Sequence, residues 1–138
     1  MIILGYCFIL LLPRFIILIF DNVIYSIMKI IRNKILPPPG YVAISIGPFI
    51  FTRSKCLNEL TIRHENIHWR QELELGIIGF YLWYVIEFIL RFIVSGFKRK
   101  YSYHNISFEQ EASYGDDIPR YLRTRKHYSW ISYLKRNW

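Results

Sequence analysis

The 138-residue chain has room for one compact domain and an anchor, because two independent cores would each be too small to stabilise themselves. Its 53% hydrophobic and 18% aromatic content, with only 20% charged residues, excludes a disordered chain and is rich for a soluble protein, so part of the surface is expected to face lipid. A formal net charge of +8 asks for an anionic partner, and eleven tyrosines and four tryptophans favour a membrane headgroup layer over nucleic acid, for which no recognisable motif is present.

Residues 1–20, MIILGYCFILLLPRFIILIF, are apolar except for Gly5, Pro13 and Arg14. A helix of that length reaches about 30 Å, one hydrocarbon core, so it predicts an N-terminal membrane helix, with a shallow hairpin as the alternative because Pro13 and Arg14 fall near mid-depth. A cleaved leader would want basic residues at its start and a small-residue cleavage site, and the run has neither. From Asn22 to Asn33 the apolar positions Val23, Ile24, Ile27, Met28, Ile30 and Ile31 follow a helical period and predict an amphipathic helix, lying on the membrane or packed on the core. Lys29, Arg32 and Lys34 after the apolar run place the segment beyond the anchor in the cytoplasm by the positive-inside rule. Residues 1–36 are therefore read as an anchor and its amphipathic helix. Neither Cys7 nor Cys56 has the spacing of a disulfide framework.

Pro37, Pro38, Pro39 and Gly40 form a stiff linker and open a second unit over residues 37–118. YVAISIGPFIFTR reads as a small β-hairpin of two short strands punctuated by Gly47 and Pro48, in an otherwise mainly α fold. Asn58 as N-cap and Glu59 in the first turn begin a helix that runs to about Leu75. On it His64 and His68 lie four apart, so both imidazoles project from one face and can bind a single ion, with Glu65 beside them. This is the pattern that metal-assisted hydrolysis needs: zinc lowers the pKa of a bound water toward ~7 and an adjacent carboxylate takes the proton. The bland alternative is a pair of surface histidines on a basic helix with Arg63 and Arg70.

A third ligand has to come from elsewhere. Downstream, Glu109 and Glu111 diverge by roughly 200° on a helix, so one at most faces the ion, and His104, Asp116 and Asp117 are further donors. The apolar run 76–96 is long enough to span a bilayer, yet a straight span would carry Glu109 to the far side. A metal site therefore predicts a break near Gly76 or Gly79, with residues 80–95 folded back against the histidine helix or lying in the interface. Glu87 and Arg91, four apart, are expected to neutralise one another. Residues 119–138, basic and aromatic without an acid, read as a tail on a headgroup surface. Tyr114, Tyr121 and His127 are candidates to stabilise an oxyanion, and spacing does not choose among them.

The paired-histidine helix followed by Phe108, Glu109, Gln110, Glu111 and Ala112 resembles the gluzincin zinc peptidases, whose membrane-bound prenyl-protein and heat-shock members carry a Phe-Glu-x-x-Ala-Asp pattern on a second helix. The likeness implies a zincin-like fold around the active helix, Zn2+ held by His64, His68 and Glu109, Glu65 as the catalytic base, and a peptide or protein substrate aligned along a strand near Phe49 to Thr52. The match departs at Ser113, where those peptidases place an aspartate that supports a histidine ligand, and it leaves that support open. The chain is more similar still to small bacterial membrane proteins that pair a His-Glu-x-x-His-x-Arg-Gln run, here His64 to Gln71, with an Asn-x-x-Phe-Glu-x-Glu-Ala run, here Asn105 to Ala112. That similarity covers about residues 41–115 and implies a bacterial inner membrane, and the basic residues after the anchor put the expected site near the cytoplasmic face. The competing expectation is a noncatalytic membrane protein that keeps the metal for structure or sensing.

Overall fold

The computed structural model describes residues 28–135, which form a three-stranded sheet followed by helices. The expected membrane helix over residues 1–20 lies outside the described residues, as does the first half of the expected amphipathic helix. Its second half is not helical: β1 (Lys29–Arg32) is a strand, paired in parallel with β3 (Phe49–Thr52). Ile30 and Ile31 suit a pleated surface as well as a helix, and the partner that settles the choice lies twenty residues further along the chain.

β2 (Ala43–Ile46) and β3 form the expected hairpin, with Ile46 opposite Phe49. Gly47 has a φ of 56°, and the ring of Pro48 fixes a negative φ after it, the combination a type II′ turn requires. The turn is tied to the helices by Glu72, whose Oε2 accepts the Gly47 N–H at 2.8 Å. Strand order is β1-β3-β2, so β3 has both edges paired and β1 and β2 are the outer strands.

Helix α1 (Glu59–Leu75) begins where the sequence puts it: the Asn58 side chain accepts the Thr61 N–H at 2.8 Å and Glu59 sits in the positive first turn. It ends at Gly76, whose φ of 71° and ψ of 148° suit a residue without a Cβ and turn the chain back. Helix α2 (Ile77–Val94) then packs against α1, the reversal that a shared site demands, while Gly79 stays inside the helix. By length and composition α2 is, among the described residues, the one helix that could cross a membrane, and it is internal to the chain. Its fully buried residues are Phe80, Glu87 and Arg91, whereas Ile78, Leu82, Val85, Ile86, Ile89 and Ile93 are exposed.

Glu87 and Arg91 pair as expected, with Arg91 Nε donating to Glu87 Oε1 at 2.8 Å, and the pair also positions the next element. After the short α3 (Arg99–His104), helix α4 (Ser107–Gly115) starts at Ile106, which has no capping side chain. Glu87 supplies the missing cap from α2: its Oε1 accepts the Ser107 N–H at 2.9 Å and its Oε2 the Ser107 hydroxyl at 2.6 Å. A carboxylate at a helix N-terminus is favoured by the dipole, and Arg91 balances its charge.

Phe80, Ile106, Phe108 and Trp130 form the aromatic core between α2, α4 and the C-terminal segment. That segment comprises α5 (Tyr121–Thr124) and a 3-10 turn over Ser129–Tyr133, the latter packed on α4. The tail is thus only partly the outward surface its composition suggests. Arg120, Arg123, Lys126 and Lys135 are exposed, but Arg125, Trp130 and Tyr133 turn inward, because the helices leave an apolar seam and two buried carboxylates for them to fill.

Replacing Glu87 by Ala is expected to leave Arg91 buried without that carboxylate and α4 uncapped, at a cost of roughly 3–5 kcal/mol in denaturant unfolding. Glu87→Gln, which keeps an acceptor for Ser107, should cost less, and equal losses for the two variants would refute the capping role.

Candidate metal centre

His64 and His68 are four positions apart, so α1 stacks their rings one turn apart with centroids 4.8 Å apart and Nε2 atoms 3.1 Å apart. Helix α4 lowers Glu109 onto the same spot, with Oε2 3.4 Å from His64 Nε2 and Oε1 3.4 Å from His68 Nε2. The three residues each offer a ligand atom within 4.8 Å of the others and could hold a metal ion. Ligands about 2.0–2.1 Å from a tetrahedral ion lie about 3.3 Å apart, so the observed separations fit a small divalent cation with little rearrangement.

Each imidazole is oriented from behind. His64 Nδ1 lies 3.0 Å from Asp116 Oδ2, and the Asp116 carbonyl also accepts Arg63 Nε at 2.7 Å. His68 Nδ1 lies 2.8 Å from Gln71 Oε1. With Nδ1 engaged as donor, Nε2 is the nitrogen of each ring left for an ion. The carboxylate beside His64 is therefore Asp116, at the C-terminal end of α4 and three residues after Ser113.

The remaining donors that the sequence offers, Glu111, His104 and Asp117, are elsewhere. Glu111 points to the opposite side of α4, where it accepts from Gln71, Tyr121 and Arg125. His104 and Asp117 are exposed and belong to no such group.

Glu65, 5% exposed, shares with His64, His68 and Glu109 the wall of a cavity of about 590 Å³. Ala43, Ile44 and Ser45 of β2 form one side and Tyr84, Val85 and Phe88 of α2 another, so the lining away from the ligands is largely apolar. The strand beside the cavity is thus β2 rather than Phe49–Thr52, since β3 is the central strand and has no edge to offer.

The tyrosines at the site are ones that spacing did not single out. Tyr84 donates to Glu109 Oε1 at 2.8 Å, and Tyr103 and Tyr81 also line the cavity. Tyr121 is bound to Glu111, His127 lies 3.5 Å from Glu74, Tyr114 is exposed, and none of these three lines the cavity. Tyr84 sits in an apolar run where a phenol reads as ordinary core; only the reversal at Gly76 turns it toward Glu109.

Burial works against a charged His68, but the neighbouring Glu109 carboxylate, with Glu65 and Gln71 adding to it, pushes the imidazole up to about 9. For Glu109, burial opposes ionisation, and His68 and His64 outweigh it and hold the carboxyl well below the usual range. Compared with known protein families, curated proteins and solved structures, the chain matches none.

The raised His68 value stabilises the metal-free protein fully below 6.5 and ceases to do so as the pH rises through about 9. The lowered Glu109 value acts in the other direction, and its contribution, present above 4.5, is lost on acidification. Because an ion must displace the His68 proton, zinc uptake at pH 7 should release a proton, with apparent affinity rising about tenfold per pH unit toward pH ~9. Chelator competition across that range checks this, and a flat profile counts against His68 as a ligand.

Proposed function

We propose that this protein is a membrane-associated, zinc-dependent peptidase of gluzincin type. The observation that carries the reading is the meeting of His64 and His68 with Glu109, about forty residues further along the chain, on one wall of a cavity that also holds Glu65 and β2, an outer strand.

A zinc ion bound there would polarise a carbonyl and bring a water toward a pKa of ~7. His64 and His68 present Nε2 because Asp116 and Gln71 engage Nδ1, and Tyr84 steadies Glu109. Glu65 accepts the water's proton and returns it to the leaving amine. An extended peptide pairs with β2. The closing pair of a two-residue hairpin, Ile46 with Phe49, is hydrogen-bonded, so the backbone groups of Ala43 and Ser45 face the free edge. Of these, the Ser45 carbonyl is held by the Tyr81 hydroxyl at 2.8 Å, which steadies the strand beside the site.

Membrane association is supported by the apolar run 1–20, the exposed apolar side of α2 and the net charge of +8. The cytoplasmic side of a bacterial inner membrane follows from the basic residues after that run and from the resemblance to small bacterial membrane proteins.

The zinc-loaded wild type should hydrolyse members of a broad peptide library, and Glu65→Gln should bind zinc stoichiometrically while losing about 10²–10⁴-fold in rate. Zinc uptake without hydrolysis of any peptide would leave the noncatalytic metal-site reading in its place.

A further inference from the structure

Behind the metal ligands lies a second buried polar cluster that the hydrolytic reading does not use. Arg125, from the C-terminal segment, has a side chain 1% exposed and reaches two carboxylates on different helices. Its Nε donates to Glu111 Oε1 at 2.8 Å and its Nη2 to Glu111 Oε2 at 3.1 Å, a two-pronged grip. Nη1 and Nη2 bind Glu74 of α1. Burial works against the Arg125 charge, and Glu111 and Glu74 more than offset it.

Glu111 passes this constraint on. Its Oε2 accepts Gln71 Nε2 at 2.9 Å, and the same amide nitrogen donates to the Phe108 carbonyl at 3.2 Å. A side-chain amide has its donors on one end and its acceptor on the other. With two acceptors facing Nε2, a flipped Gln71 would set oxygen against oxygen twice in a site with no exposure to water. Gln71 Oε1 is thereby committed to His68 Nδ1, 2.8 Å away, and that ring nitrogen must donate.

We infer that Arg125 is a positioning residue for the metal centre: through Glu111 and Gln71 it dictates which nitrogen of His68 carries the proton and which is free for the ion. Without the guanidinium, Glu111 keeps only the Tyr121 hydroxyl as an anchor beside Gln71 and is free to swing from the amide, which leaves the Phe108 carbonyl alone to oppose a flip. A flipped amide would offer N–H to Nδ1, and His68 could then accept only by keeping its proton on Nε2, the atom that faces the site. The basic C-terminal segment is in this way part of the metal centre, although none of its described residues lines the cavity that the three ligands share.

The inference rests on the zinc-site reading but not on peptidase activity, so its test reads zinc affinity by chelator competition and the slowly exchanging His68 Nδ1–H signal by NMR of the zinc-loaded full chain. Arg125→Met should weaken zinc binding by about 10–100-fold and lose that signal. Glu74→Gln, which releases one prong of Arg125 without touching Gln71, should lower the melting temperature yet keep zinc affinity within about twofold. If Arg125→Met does not fold, Gln71→Met, close in volume, must show the same loss of affinity. Unchanged affinity in Arg125→Met or Gln71→Met, or an equal fall in Glu74→Gln, overturns the inference alone. Failure of the wild type to take up zinc overturns the metal-site reading along with it.

Discussion

A helix that ran straight on from Leu75 through the apolar stretch would place Ser107 some tens of ångströms from His64, at about 1.5 Å per residue. The reversal at Gly76 is what prevents this, and every contact that Glu109 and Asp116 make with the two histidines depends on it. Once α2 lies against α1, its residues divide by side. Phe80 enters the core, Tyr84 and Phe88 meet the cavity, and Ile78, Leu82 and Ile86 remain outside.

The reversal brings α2 close but does not by itself fix α4. That task falls to a buried ion pair, Glu87 with Arg91, whose carboxylate caps a helix start that lacks its own cap. Ion pairs inside proteins are costly to desolvate and are often no better for stability than apolar packing. Here the pair has a positional role, since Glu109 lies two residues after the capped Ser107 and so inherits its placement.

Around the ligands the polar groups are arranged in depth. Asp116 and Gln71 stand behind the histidines, Tyr84 beside Glu109, and Glu74, Glu111 and Arg125 further back. Three separate segments, α1, α4 and the C-terminal stretch, are tied by this cluster into one unit. Such networks are stiff when every member is satisfied, and a ligand set must be stiff to favour one coordination geometry.

Much of this was legible in the residues themselves. The Asn58 cap, the spacing of His64 and His68, the Gly47-Pro48 turn and the Glu87–Arg91 pair are local patterns, determined by backbone preference or by neighbours one helical turn away. Spacing alone leaves Glu109 and Glu111 equivalent, and the likeness to gluzincins implies Glu109; the orientation of α4 puts Glu109 on the histidines and gives Glu111 to Arg125. Decisions that needed partners distant in sequence were not readable: that Lys29–Arg32 pairs as a strand with β3, that β2 is an outer strand and β3 the central one, that Asp116 meets His64, and that Arg125 and Trp130 turn inward. A short apolar or basic stretch has several local conformations of nearly equal free energy, and only the burial and hydrogen bonds offered by the rest of the fold select one.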